Sequence, residues 1–496
     1  MVEKKEHILE PHASSLSQSL RDIGYSLEAS IADLVDNSIA ARAKNVWIDF
    51  DIHTDEPYLA ISDDGFAMSQ KELIEAMRPG TSNPRLKRDK DDLGRFGLGL
   101  KTASFSQCTQ LTVISKKKRS ICSAQWDLEV VEKKNKWVVF ELPQKEIDKI
   151  EAIDRLGACG TSVIWTHMDR LLEDKTGTIS ADEFYEKFDA VEKHLSLVFH
   201  RFLSGELRDR KLNIYINGST VKAFDPFCTS IKATQILREE SIRIDDSEIK
   251  IQPYILPHHS KLTKTEYDYY RNRSDFLNNQ GVYVYRNGRL MAWGDWFRLI
   301  PRGEATKLAR VRIDFSNELD DLWTIDIKKS RAHPPQPVKD RLRKIIDRIA
   351  DSSKKVHKQR GARLFSANSD PVWERVQGGD HVQYKLNRNN PLISSLMERY
   401  DDQDAKAILK LFELAEDSIP IEAIYSDYST QPRSFDVNDL FSEGDLKEKL
   451  EEYWGLLSTT GNWTKEQAFE TVINIKPFSL QKDQTEKLIK EILENE

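Results

Sequence analysis

Apolar residues recur along the first part of the chain at helical and then at strand spacing. Ile31, Leu34, Val35 and Ile39 follow one another at three- and four-residue intervals, which predicts a helix over residues 21–43. Short apolar or alternating runs then predict a helix at 69–77 and strands at 46–52, 58–63, 111–117, 121–131, 136–142 and 160–168. This order favours an α+β layer with helices on one face of a sheet.

A second group of elements follows a strong amphipathic helix predicted at residues 181–203. His333-Pro334-Pro335 marks a break after this group, and residues 337–360 read as a long basic helix. The remainder is acidic and mostly helical, apart from a hairpin predicted at 373–387. The strand-like segments of the second group lie at 212–218, 249–256, 281–291, 309–315 and 323–330.

The charge is distributed unevenly around a net value of −7. Residues 401–496 hold 10 Lys and Arg against 22 Asp and Glu, which leaves 64 against 59 in the preceding part. The four cysteines are widely scattered and without a C-x-x-C pair, so we expect neither a disulfide framework nor a zinc site. The chain lacks a membrane-length apolar run and begins without the apolar stretch of a signal peptide, so we expect a cytoplasmic protein with no membrane partner.

Two acidic motifs are candidates for binding chemistry. Asp33 and Asn37 stand four residues apart on the first long helix and therefore share one face, where a carboxylate can hold a water and an amide oxygen can bind Mg²⁺. Asp63 ends a strand and is followed by Gly65 and Met68 in the segment DDGFAM. Each motif alone is weak evidence, because an ordinary polar helix face or a turn explains it as well or better.

Two glycine motifs complete the candidate site. The segment 94–102, GRFGLGLKT, closes a charged loop and opens a helix, so its backbone N–H groups can hold phosphate oxygens. It is not a Walker P-loop, because Leu100 separates Gly99 from Lys101. Gly160-Thr161 enters a later strand, and by itself this pair carries no meaning.

The order and spacing of these four motifs resemble those of the GHKL (Bergerat-fold) ATPase superfamily. Within it, DLVDNSI, DDGFAM and LGRFGLGLK are most similar to prokaryotic MORC-like and MutL-like ATPases. The resemblance implies a GHKL α/β sandwich at 1–170, a connecting helix at 171–205 and a transducer-like α/β domain at 206–335. A basic helix at 336–363 and an acidic, mostly helical C-terminal region at 364–496 follow.

The resemblance also implies a role for each motif. Asp33 would be the catalytic base, Asn37 the magnesium ligand and Asp63 the adenine ligand, with Thr161 supporting it, while residues 79–93 would form an ATP lid. Lys329, or else Lys328, would reach the γ-phosphate from the second domain. The full set of expected ATP contacts is Asn37, Asp63, Gly65, Met68, Gly94, Gly97, Leu98, Gly99, Leu100, Lys101, Thr102 and Thr161.

The sequence departs from the family pattern at two positions. Asp33 stands where the family usually has glutamate, and one methylene less at the base can slow the reaction. Asp36 is the alternative carboxylate, although its helical position directs it elsewhere. Ala67 replaces the second glycine of D-x-G-x-G, which an ordinary φ permits.

Two classes of function remain open at this stage. The first is a slow ATPase whose ATP-driven dimerisation and lid closure act as a clamp on DNA, in restriction-type defence or DNA processing. The second is an ATP-gated assembly switch without hydrolysis, or a chaperone-like ATPase acting on protein partners. Residues 328–363 hold 13 Lys and Arg against 3 Asp and Glu, so DNA contact over 339–363 and a solvated helix face are both consistent with the pattern. We expect the C-terminal region to bind a nuclease or another protein.

Overall fold

The computed structural model describes residues 11–80, 93, 99–174, 177–244, 247–258, 261–273, 279–303, 306–325, 332–349, 372–378 and 381–390, with parts of 393–495. The chain divides into two compact units. The first contains residues 1–257 and 261–350, and the second contains 258–260 and 351–496. The predicted mixed α/β class is confirmed.

The first unit opens with helices packed on a sheet of seven strands. The elements of this layer are α1 (Ala13–Arg21), α2 (Leu27–Ala40), β1 (Asn45–Asp51), β2 (Tyr58–Asp63), α3 (Gln70–Met77), α4 (Gly99–Phe105), β3 (Gln110–Lys117), β4 (Ser120–Asp127), α5 (Leu128–Lys134), α6 (Gln144–Ile147), β5 (Cys159–Thr166), α7 (Asp169–Leu172), β6 (Glu173–Asp174), β7 (Gly177–Thr178), α8 (Ala181–Val198), α9 (His200–Leu203), β8 (Asn213–Ile216) and β9 (Ser219–Thr220). The strand order in the sheet is β4-β3-β5-β2-β1-β8-β9, and all neighbouring pairs are antiparallel except β1 and β8. Strands β6 and β7 form a separate pair.

The core of this layer lies between the helices and one face of the sheet. Val46 and Ile48 of β1 are fully buried there, as are Ile31 and Val35 of α2. Helix α8 adds Phe184 to the same core. The division predicted at residue 170 therefore leaves out α8, β8 and β9, which the structure places in this first layer.

Three sequence predictions in this layer were wrong in detail. The helix predicted over 21–43 is shorter at both ends and spans Leu27–Ala40, because α1 ends at Arg21 and Ser26 has an extended backbone. The strand predicted over 121–131 ends at Asp127, whose side chain accepts a hydrogen bond from the Val130 N–H and caps α5. The strand predicted over 136–142 is reduced to one bridge between Phe140 and Gln125.

The second layer of the first unit is a six-stranded sheet. The elements of this layer are β10 (Gln235–Ile236), β11 (Glu240–Ile244), β12 (Ser247–Ile255), α10 (Lys264–Arg273), β13 (Gly281–Arg286), β14 (Arg289–Asp295), β15 (Ala309–Phe315), β16 (Thr324–Ile325) and β17 (Ala332–His333). The strand order in the sheet is β10-β12-β15-β13-β14, with β11 paired to β12. Strands β13 and β15 run parallel, whereas β13 and β14 form an antiparallel hairpin. The strand character predicted at 249–256, 281–291 and 309–315 is confirmed.

The basic helix is described over residues 336–349 and is named α11 here. Its buried face packs into the core of the second sheet and consists of Val338, Leu342, Ile345, Ile346 and Ile349. On its exposed face, Arg341 and Arg348 both bond to Glu240 of β11. Part of the basic charge of this helix is therefore paired within the protein.

The second unit contains the predicted hairpin, β18 (Trp373–Gly378) and β19 (His381–Leu386). It also contains α12 (Asp402–Asp417), α13 (Glu443–Thr459) and α14 (Lys482–Asn495). Its own small core includes Leu446, Leu450, Trp454, Phe478 and Ile489. Within the described residues of the whole chain, we find no helix with the length and apolar character needed to cross a membrane.

Candidate ATP site

Helix α2 carries the first acidic motif because its apolar face anchors it against the sheet. Asp33 is only 2% exposed, and its Oδ2 accepts a hydrogen bond from the Tyr25 hydroxyl at 3.1 Å. Asn37, one turn further on, is exposed. The helix thus presents a carboxylate held in place by a neighbour, followed by an amide that solvent can reach.

The start of α4 lies directly beside the Asp33 carboxylate. A Cβ atom built on Gly99 would stand 3.6 Å from Asp33 Oδ2. Positive backbone N–H groups at a helix start favour nearby negative charge, including phosphate oxygens. The structure therefore brings the first acidic motif and the end of the long glycine motif together, as their assignment to one site requires.

Asp63 ends β2 inside a network of hydrogen-bond donors. Its Oδ2 accepts from the Ser38 hydroxyl at 2.9 Å, and its Oδ1 accepts from the Gly65 N–H at 2.9 Å. The Thr161 backbone N–H donates a further bond from the neighbouring strand β5, where Thr161 stands opposite Asp63. Burial raises the pKa of the Asp63 carboxyl, and these hydrogen bonds oppose that rise.

The turn after Asp63 admits only glycine at residue 65. A Cβ atom on Gly65 would stand 2.6 Å from the Ala41 carbonyl oxygen, which a side chain cannot do. The next residue, Phe66, donates its N–H to that same carbonyl at 2.7 Å. This contact ties the end of β2 to the end of α2, and thereby fixes the two acidic motifs relative to each other.

A second network of hydroxyl groups lies beside Asp63. The Met68 N–H donates to Ser115 Oγ at 2.8 Å, and Ser115 Oγ lies 3.1 Å from Thr161 Oγ1. Met68 is half-buried. Met68 and Thr161, both assigned from the sequence, therefore meet at Ser115.

Sequence reasoning missed the roles of Ser38, Ser115 and Tyr25 in this site. Ser38 directly follows Asn37 in the DLVDNS motif, so the sequence could have indicated it as a site residue. Ser115 and Tyr25 lie in other elements, and only the pairing of β3 with β5 and the start of α2 bring them to the site.

The side chain of Lys101, which is expected at the phosphates, is bound within the protein in this structure. Its side chain is 2% exposed, and its Nζ donates to the carbonyl oxygens of Ala76 and Arg78 at 2.8 and 2.9 Å. These carbonyls close α3, directly before the expected lid. The ammonium would have to leave these carbonyls to reach a phosphate, and the phosphate contact of Lys101 stays a prediction.

Burial lowers the pKa of Lys101 to about 8 from its ordinary value of 10.5. Between these two values the unfolded chain binds more protons than the folded protein, so stability must rise with pH in that window. We expect the free energy of unfolding of the wild type to increase from pH 8 to 10, relative to that of Lys101→Met. Urea unfolding at several pH values measures the difference, and a difference that is constant or falls would contradict this placement.

Several expected contacts are outside the described residues. Gly94, Gly97 and Leu98 belong to this group, and so do Lys328 and Lys329. Of the remaining glycine motif, Leu100 and Thr102 lie in α4 beside Gly99, with Thr102 fully buried and Leu100 packed against the core. The two lysine candidates and the phosphate contacts stay predictions.

Asp36 is directed away from the Asp33 side of α2. Both of its carboxylate oxygens accept from Arg289 Nε, at 3.1 and 3.0 Å, and the two side chains are 1% and 4% exposed. A carboxylate held in this way is committed to an ion pair. Of the two candidate bases, Asp33 is therefore the one that lies beside α4.

Magnesium has one expected protein ligand, Asn37. Among the described residues, no three His, Cys, Asp or Glu side chains group as a metal site. Protein sites that bind Mg²⁺ together with a nucleotide commonly supply one or two ligands, while phosphates and waters supply the rest. The exposed amide of Asn37, one turn from Asp33, fits such a partial site.

Comparison with known proteins agrees with this geometry. Residues 25–161 match the family described as Histidine kinase-, DNA gyrase B-, and HSP90-like ATPase. These residues form a GHKL-type ATPase domain. The matched segment contains Asp33, Asn37, Asp63 and Lys101, and the match ends at Thr161.

A more specific similarity points to MORC proteins. A segment of 89 residues is 35% identical to ATPase morc-1 of Caenorhabditis elegans. It covers 18% of this chain and only 10% of that protein. The expectation of a GHKL, MORC-like domain is confirmed, and the family implies that this GHKL domain binds ATP.

Proposed function

We propose that the protein is a slow, magnesium-dependent ATPase in which ATP pairs two copies of the chain into a clamp on DNA. The observation that carries the ATP part is the convergence of separate motifs on α2. Asp63 and Thr161 meet Ser38 at one end of this helix, and Gly99 meets Asp33 one turn before Asn37.

The proposed chemistry assigns one task to each residue of the site. Asp63 accepts the exocyclic amine of adenine, and Asn37 provides the protein ligand of the metal. The metal, when bound, offsets phosphate charge. Asp33, oriented by Tyr25, accepts a proton from the attacking water, and Lys329 or Lys328 supplies positive charge at the γ-phosphate.

Slow turnover follows from the length of the base. Aspartate is one methylene shorter than the glutamate typical of the family, and a misplacement of about 1 Å can cost on the order of 10²-fold in rate. The second candidate is an assembly switch that binds ATP without hydrolysing it. The short side chain of Asp33 favours this candidate, because it makes a poorly placed base.

The DNA part rests on charge. Residues 328–363 carry 13 Lys and Arg against 3 Asp and Glu, and α11 turns part of this charge toward solvent. The pairing of Arg341 and Arg348 with Glu240 reduces the charge available to DNA, so Lys344 and the lysines after residue 353 carry most of the proposal. A role in restriction-type defence, in the cytoplasm and beside a nuclease bound by the C-terminal region, belongs to the same proposal.

A gel shift with and without ATP tests the clamp. We expect duplex DNA to bind more tightly with ATP, with an affinity that falls steeply as salt rises. Replacing Lys344, Lys354 and Lys355 by glutamine should reduce the slope of log affinity against log salt by about 0.9 for each phosphate that the protein no longer neutralises.

The matched control is the replacement of Lys482, Lys487 and Lys490, three exposed lysines of α14, by glutamine. This variant should bind DNA as the wild type does. DNA binding that is indifferent to both salt and ATP would rule out the clamp. ATP binding without any DNA binding would favour the chaperone-like alternative, with protein as the partner.

A further inference from the structure

The hairpin of β13 and β14 ends in a rigid turn between two arginines. Arg286 and Arg289 face each other across Asn287 and Gly288, whose φ angles of 50° and 86° suit a two-residue turn. The Asn287 N–H donates to the Phe315 carbonyl at 3.0 Å. A Cβ atom on Gly288 would stand 2.4 Å from a Leu207 methyl carbon, so the tip is packed closely. The two arginines therefore start from a fixed platform in the second sheet.

Arg289 connects this platform to the acidic motif of α2. It binds Asp36, which lies between Asp33 and Asn37, and both side chains of the pair are almost fully buried. Burial and the Arg289 charge lower the pKa of the nearby His194 to about 4. The imidazole is therefore neutral at neutral pH, and loss of either partner of the buried ion pair would leave a buried unpaired charge.

Arg286 connects the same platform to the end of the expected lid. Its Nη1 donates to the Leu93 carbonyl at 3.0 Å, while its Nε and Nη2 donate to the two carboxylate oxygens of Asp320 at 2.7 and 2.6 Å. Leu93 is 1% exposed and directly precedes the glycine motif. The tip of this hairpin thus holds Asp36, inside the acidic motif of α2, and Leu93, next to the glycine motif at 94–102.

We propose that Arg286 and Arg289 are positioning residues that couple ATP binding to the second sheet. The inference rests on the proposed ATP site. Neither residue is assigned to nucleotide or metal. Arg289 acts through Asp36 on the helix that carries Asp33 and Asn37, and Arg286 acts through the backbone at Leu93. A shift of α2 or of the lid end on ATP binding must either move the hairpin or break a buried bond, so the second sheet senses the nucleotide.

Hydrogen exchange with and without the magnesium complex of the nonhydrolysable analogue adenylyl imidodiphosphate tests this coupling. In the wild type we expect the analogue to slow amide exchange in residues 281–295. In Arg289→Met we expect the analogue to bind about 5- to 150-fold more weakly. At saturating analogue, the slowing in 281–295 should be clearly smaller than in the wild type, because only the Arg286 link to Leu93 remains.

Arg312→Met is the matched control. Arg312 lies in β15 of the same sheet and pairs with Asp314 and Glu206, outside the GHKL domain. Its loss removes an arginine ion pair without touching α2 or Leu93, and the slowing in 281–295 should persist. A merely structural role for Arg289 would make the two variants behave alike.

A neutral double variant covers the case in which Arg289→Met does not fold. Asp36→Asn with Arg289→Gln leaves no buried unpaired charge, and we expect it to bind the analogue while the slowing in 281–295 is reduced in the same way. Slowing that keeps its wild-type size in the Arg289 variants, or that falls equally in Arg312→Met, would overturn the coupling. A wild type that binds the analogue without slowing in 281–295 would overturn it as well. A wild type that does not bind the analogue would instead overturn the proposed function, and the coupling with it.

Discussion

Asp63→Asn should bind ATP about 10- to 150-fold more weakly than the wild type, corresponding to about 1.5–3 kcal/mol for a hydrogen bond to a charged group. The substitution keeps the size of the side chain but replaces a carboxylate oxygen by an amide donor. The carboxylate already accepts bonds from Ser38, Gly65 and Thr161. Wherever the amide NH₂ group of the asparagine points, it therefore sets a donor against one of these protein donors or against the exocyclic amine of adenine. Isothermal titration with ATP measures the loss.

Asp64→Asn is the control for that loss. Asp64 is adjacent in sequence, but its carboxylate accepts from the Lys44 and Asn45 N–H groups at 2.7 and 2.9 Å and from the Asn45 side chain at 2.7 Å. We expect this variant to bind ATP as the wild type does. Equal losses in the two variants would show that the effect at Asp63 is a general disturbance of the turn, and would remove the adenine assignment.

Asp33→Asn should reduce single-turnover phosphate release by about 10²- to 10⁴-fold, the range typical of a general base. ATP affinity should change little, because the amide keeps the volume of the buried carboxylate beside Gly99 and can still accept the Tyr25 hydrogen bond. Glu28→Gln, in the first turn of the same helix, removes a carboxylate that belongs to none of the four motifs and should leave phosphate release unchanged.

This experiment also separates the enzyme from the switch. Phosphate release by the wild type that disappears in Asp33→Asn supports hydrolysis at this residue. Dimerisation of the wild type on addition of ATP, measured by sedimentation and without phosphate release, would contradict the ATPase and favour the assembly switch.

The parts of the site that the sequence predicted are those held by local spacing. Asp33 and Asn37 lie four residues apart on one helix, so their common face could be inferred from the helical repeat. Asp63 is the last residue of a strand whose bounds of 58–63 were predicted correctly, and Gly65 follows that strand. A single motif does not identify the family. The resemblance depends on the order and spacing in which all four motifs occur.

The remaining features depend on contacts between distant segments. Asp36 and Arg289 lie 253 residues apart in the chain, and no periodicity pairs them. The resemblance implied that Lys101 lies at the phosphates, and the carbonyls that bind its ammonium in the structure lie at the end of another helix, α3. The misplaced end of β4 has a local cause, since the Asp127 cap competes with an apolar run that also suits a strand.

A competition titration with ATP and GTP in the presence of Mg²⁺ tests the central claim most directly. Asp63 accepts the exocyclic amine of adenine, and guanine presents a carbonyl oxygen at the corresponding position. We therefore expect saturable ATP binding at one site per chain that GTP does not displace at comparable concentration. Absence of ATP binding, or equal competition by GTP, would contradict the assignment of this site.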